Sequence, residues 1–260
     1  MKNPMVIMNF SGVYEKENFY KNEEFQWIDC KNIIGTNCYC DEIAEKELKT
    51  LIKNYSPYGI HFIDSGNYHY VSKLWIDKIT EPFSLMLFDH HTDMQPPAFG
   101  SVLSCGSWVK DAMSNPYLNK IYLMGVDEKY IFTVLNQYKD KLVWYSETDL
   151  ENKKVLNKFK NLYMKEALYI SIDKDLLSTD IVKTNWDQGN ITLKTLESLL
   201  NIVLYNQKII GVDICGEGTG LLESERNFKL YQNHDKVNLF LLNEFLKAEQ
   251  MYPVKESKYI

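Results

Sequence analysis

The stretch FSLMLFDHHTD, residues 83–93, joins a run of six uncharged residues to Asp89, His90, His91 and Asp93. A run apolar throughout, rather than alternating, fits a strand buried on both faces. Comparable runs recur along the chain: MVIMNF (5–10), GIHFID (59–64), KIYLMGV (120–126), KLVWYS (141–146), ALYISID (167–173) and KIIGVDI (208–214). Between them lie segments of helical period, including 43–55, 69–79, 193–206 and 238–252. Strands of this kind alternating with helices predict a three-layer α-β-α domain, with a central, mostly parallel sheet covered by helices on both faces. The 260 residues suit a single α/β domain, 1–260, without repeats or linkers. Residues 13–40 are polar, aromatic and poorly periodic, and read as a lid, an insertion or an unrecognised helix.

Composition narrows the class of function. Hydrophobic residues make up 45% and charged residues 25%, as in a folded soluble chain. A formal net charge of -6 argues against a nucleic-acid partner and is compatible with a cationic substrate. No stretch is apolar enough to span a membrane, and the N-terminal run is too short for a signal-peptide core. The five cysteines, Cys30, Cys38, Cys40, Cys105 and Cys215, match no common zinc spacing. Reduced thiols in a cytoplasmic protein are the default reading, with a metal-binding or redox pair at Cys38 and Cys40 as the alternative.

Ligands of a parallel sheet bind at the carboxyl ends of its strands, and the reactive residue types gather there. Asp89, His91 and Asp93 alternate; in an extended chain they would share a face while His90 and Thr92 point elsewhere. Asp173 and Asp175 repeat the pattern after another apolar run, and His69 follows a Gly turn. So many carboxylates at buried strand ends would repel one another and take up protons unless cations compensated them. A dinuclear metal site is therefore expected.

These motifs also resemble the arginase and agmatinase (ureohydrolase) superfamily. GNYHY (66–70) resembles its Gly-Gly-Asp-His segment, FDHHTD its D-x-H-x-D motif, SIDKDLLSTD (171–180) its Ser-x-Asp-x-Asp segment, and LMGVDEKYI (123–131) the strand that usually reads Ile-Gly-Leu-Arg-Asp. The resemblance covers about residues 59–217 and implies two Mn²⁺ per chain, held by His69, Asp89, His91, Asp93, Asp173 and Asp175, with two carboxylates bridging. Two ions about 3.5–4 Å apart can hold a bridging hydroxide at neutral pH. In the family that nucleophile attacks a guanidinium or related carbon and releases urea and an amine.

The substrate side departs from the pattern. The family binds guanidinium with an acidic residue after its last central strand; here Glu217, in GVDICGE (211–217), stands one residue further from Asp213 than usual. Asp187, in TNWDQGN (184–190), is the second candidate, and Trp186 beside it could stack on a guanidinium. Ser107, Asp213 and Cys105 complete the candidate substrate contacts; no clearly paired His makes Cys105 a nucleophile. The proton-shuttling His of arginases has no counterpart in FGSVLSCGSWV (99–109), so proton transfer would fall to Asp187, Glu217, Cys105 or water. The pattern resembles a divergent branch that includes peptide arginases. The expected partner is thus a small guanidino compound or an arginine-containing peptide, and a homo-oligomer stays open. The alternatives are a one-zinc amide deacetylase on a related fold and a non-catalytic arginase-like protein.

Overall fold

A computed structural model of the chain describes residues 4–96, 100, 102–131, 138–160, 166–219 and 225–251. Residues 1–3 and 252–260 of the expected domain, and Tyr252 of its last helix, lie outside the described residues.

The strands are β1 (Met5–Asn9), β2 (Phe25–Asp29), β3 (Tyr39–Cys40), β4 (Ile60–Phe62), β5 (Phe83–Phe88), β6 (Leu103–Ser104), β7 (Leu118–Val126), β8 (Leu142–Ser146), β9 (Ala167–Asp173) and β10 (Ile209–Cys215). The helices are α1 (Glu42–Ile52), α2 (Val71–Ile76), α3 (Trp108–Ala112), α4 (Glu128–Ile131), α5 (Glu147–Glu151), α6 (Lys153–Lys160), α7 (Leu193–Asn206) and α8 (Glu225–Met251). Eight strands form one sheet in the order β2-β1-β4-β10-β9-β5-β7-β8. Every pairing in it is parallel. A separate antiparallel pair joins β3 to β6.

Strand alternation divides the core in two. Phe83, Leu85 and Leu87 pack with Leu48 of α1, Trp75 of α2 and Trp108 of α3 on one face. Met86 and Phe88 pack with Leu199 of α7 and Leu241 of α8 on the other. Both faces of β5 are fully buried, which is why its sequence shows no polar alternation. Side chains cap the flanking helices where the sequence offers them: Asp41 accepts from Ala44 N at 2.9 Å, and Thr192 from Thr195 N at 3.1 Å.

Residues 13–40 hold strands where no period was legible. That segment carries a 3-10 turn at Val13–Lys16, the edge strand β2 and the short strand β3. β2 escaped detection because an edge strand exposes most of one side, so Gln26, Trp27 and Asp29 break the apolar run. The last helix also starts earlier than its periodicity suggests, at Glu225.

Candidate metal centre

Adjacent strands end together. Phe88 of β5 is in register with Ile172 of β9, so Asp89 and Asp173 emerge side by side, and Cys215 of β10 pairs with Asp173. His69 arrives from the β4 side, after a 3-10 turn at Gly66–Tyr68. Gly66 is needed there: a Cβ would stand 2.8 Å from Asp173 Oδ2 and 3.0 Å from the Trp186 ring.

The six candidate ligands converge in two groups. His69 Nδ1 lies 3.0 Å from Asp93 Oδ2, 3.4 Å from Asp89 Oδ2 and 3.5 Å from Asp173 Oδ2. His91 Nδ1 lies 2.9 Å from Asp175 Oδ2 and 3.5 Å from Asp89 Oδ1. Asp89 thus offers one oxygen to each group. The convergence comes from bends after the strand rather than from continued strand alternation, with Asp93 in the left-handed region at φ 49°. His90 turns away, as expected, toward Glu147 at 3.2 Å.

The electrostatics are those of a cation site. Burial works against ionising Asp89, but His69 and His91 hold its carboxyl well below the usual range. Burial and the Asp89 charge push Asp93 up to about 6, and also raise Asp173. Against the cost of its own burial, His91 is raised to about 12 by Asp175 and Asp89. The imidazoles therefore act as substitute cations among four buried carboxylates. Two divalent ions would balance those four charges and release the protons. His69 Nδ1 supplies a second sign of fit: it is buried, aimed into the cluster, and outside hydrogen-bond geometry with any described residue.

Beneath the ligands lies a polar support that the sequence did not reveal. His69 Nε2 is 2.8 Å from Ser171 Oγ, which donates to Asp213 Oδ1. Trp108 Nε1 donates to Asp93 Oδ2 at 2.6 Å. Alternation along β9 could have exposed Ser171, because it shares the face of Asp173. Trp108 is brought in from α3 only by tertiary packing.

A cavity of about 280 Å³ opens over the centre, floored by His91, Asp93, Asp173 and Asp175. Cys105, Tyr130, Trp186 and Asp187 form part of its wall. Trp186 is 42% exposed and donates from Nε1 to Asn67 Oδ1 at 2.8 Å. Asp187 pairs with Lys129 at 3.0 Å, which holds its carboxyl below the usual range.

Three expected substrate residues lie elsewhere. Glu217 is fully buried and bonded to Lys174 and Asn238, with His234 Nδ1 at 2.9 Å from its Oε2. Gly216, at φ 90°, turns the chain at the extra residue, so Glu217 enters this network instead of the cavity. His234 belongs to α8. Asp213 is buried under Ser171, and Ser107 is buried against Ser104 and Asp111. Cys105 does reach the cavity wall, opposite Cys38. Among the described residues, no helix is long and apolar enough to cross a membrane.

Comparison with known proteins agrees with this architecture. The model of the arginase family matches residues 4–216. An uncharacterized protein of Thermotoga maritima is 32% identical over 256 residues, covering 98% of this chain and 94% of that protein. Among solved structures, proclavaminate amidino hydrolase from Streptomyces clavuligerus superposes with a TM-score of 0.67 at 11% identity, covering 95% of this chain and 93% of that one. Formimidoylglutamase from Bacillus subtilis gives 0.68 at 11% identity, covering 97% and 88%. At such identities these two structures establish the fold. The family match spans most of the chain and takes in all six converging ligands: this protein belongs to the arginase family.

Proposed function

We propose that the chain hydrolyses a C–N bond of a guanidino or related amidino group, using two divalent cations, manganese by family precedent. The observation that carries this reading is the convergence of four buried carboxylates and two imidazoles under an open cavity. His69, Asp89, Asp93 and Asp173 would hold one ion; His91, Asp175 and the second oxygen of Asp89 would hold the other. When bound, such a pair supplies a water activated at neutral pH and a positive field for developing negative charge.

The chain's own residues would do the rest. Ser171 and Asp213 hold His69 with Nδ1 facing the carboxylates. Trp186 and Tyr130 offer aromatic surface to a planar cation on the cavity wall. Asp187 is the rim carboxylate that would meet the guanidinium or pass a proton, because Glu217 is enclosed elsewhere. The proposed substrates are a small guanidino compound or an arginine side chain within a peptide. The two structural neighbours named above are, by their names, an amidino hydrolase and a formimidoylglutamase, which supports this bond class.

Purified protein loaded with Mn²⁺ is to be assayed for urea release on free and peptidyl guanidino compounds, with metal content measured in parallel. Urea from at least one compound and about two Mn per chain are expected. No urea from any compound refutes the ureohydrolase reading, and about one zinc per chain would favour deacetylase chemistry instead.

A further inference from the structure

Cys38 and Cys105 are far apart in sequence and face each other in the fold. The β3–β6 ladder pairs Tyr39 with Ser104 and Cys40 with Leu103, so the next position sets Cys38 opposite Cys105. One residue beyond the ladder Cys38 turns into the left-handed region at φ 61°, and Cys105 N still donates to its carbonyl oxygen at 3.0 Å. That backbone bond keeps the two residues adjacent, near the separation of about 5.5 Å that opposed, hydrogen-bonded residues have in a regular ladder. Disulfides span about 4.4–6.8 Å between Cα atoms.

The two thiols differ in the way thiol–disulfide exchange requires. The neighbouring Cys105 side chain lowers Cys38 to about 7. The proximity of Cys38, followed by burial, raises Cys105. Cys38 is half-exposed, whereas Cys30, Cys40 and Cys215 are buried, and burial raises all three. Cys38 is therefore the accessible thiolate and Cys105 its resolving neighbour.

We propose that Cys38 and Cys105 form a site of reversible oxidation, which closes to a disulfide on meeting a small disulfide of the glutathione class. The Cys38 thiolate attacks one sulfur of glutathione disulfide, and the S–S bond breaks to release one glutathione thiolate, which takes up a proton. Cys105 then attacks the Cys38 sulfur of the mixed disulfide and expels the second glutathione, which receives the Cys105 proton. Two protein thiols are oxidised and one glutathione disulfide is reduced to two thiols. The new bond ties the cavity wall at Cys105 to the segment of Asn37, which accepts from Asn67; Asn67 in turn accepts from Trp186.

This inference does not depend on the proposed hydrolysis, and neither does its test. Full-length protein is reduced, exposed to glutathione disulfide, alkylated under denaturing conditions and digested without reductant for peptide mass spectrometry. The expected result is a Cys38–Cys105 linked peptide and the loss of two of the five free thiols, reversed by dithiothreitol. Cys105→Ser should instead accumulate glutathione on Cys38; Cys38→Ser should leave Cys105 free; Cys30→Ser should still form the link. Five unmodified thiols, a link through a different cysteine, or stable glutathione on Cys38 of the unaltered chain would each overturn the proposal.

Discussion

His69 and Ser171 meet at 2.8 Å between Nε2 and Oγ, and Ser171 passes the contact on to Asp213. A donor on Nε2 leaves Nδ1 as the lone-pair nitrogen, facing Asp89, Asp93 and Asp173. Ser171→Ala should weaken metal affinity about 10- to 100-fold, the usual effect of removing a group that orients a ligand. Titration with a competing chelator measures this. Wild-type affinity in the variant would remove Ser171 from the support of the site.

Asp89 reaches both ligand groups, whereas Asp175 reaches only that of His91. Asp89→Ala should therefore cost both ions, and Asp175→Ala mainly one, while circular dichroism shows a folded chain in each case. Elemental analysis gives the count per chain. Full metal content in both variants would defeat the ligand assignment.

Glu217 is a structural charge in this fold. Its partner Lys174 is fully buried, and together they oppose the cost of burial, so that the Glu217 carboxyl stays well below the usual range. Glu217→Gln removes the carboxylate bonded to the buried ammonium, leaving Glu17 near it, and should lower stability by about 3–5 kcal/mol. The double variant with Lys174→Met should recover part of that loss in denaturant unfolding. A stable single variant with a raised KM would instead return Glu217 to the substrate.

His61 makes stability depend on pH. It stacks on Trp75 with ring centroids 3.9 Å apart, and burial lowers it from 6.5 to about 3. The folded value lies below the unfolded one, so the contribution is fully present above about pH 6.5 and is lost as pH falls toward 3. Between pH 7 and pH 5 this amounts to about 2 kcal/mol. His61→Phe, which can keep the stacking, should lose less stability over that interval in denaturant unfolding. Equal losses would mean that His61 does not stay neutral.

Trp186 offers its ring to the cavity without touching the carboxylates through a polar bond. On the proposed function, Trp186→Ala should raise KM for a cationic substrate about 3- to 30-fold, as loss of a cation–π contact would. Metal content should not change. An unaltered KM would show that the substrate does not use this wall.

The sequence by itself determined the sheet and the candidate ligands. Strands buried on both faces must be apolar throughout, so β5, β9 and β10 stand out as runs, and charged residues at their carboxyl ends mark where the chain leaves the core. Asp89, His91, Asp93, Asp173 and Asp175 were legible for that reason, and His69 from the Gly turn before it. The edge strand β2 was not, because half of it faces solvent. Tertiary structure decided the rest. Whether Glu217 meets substrate or Lys174 depends on one left-handed turn at Gly216 and on a helix that brings His234 and Asn238 from the far end of the chain. The pairing of Cys38 with Cys105, and the support of His69 by Ser171 and Asp213, depend likewise on strand register. Local pattern records whether a side chain is buried, but the partner it meets there is set by which distant segments pack together.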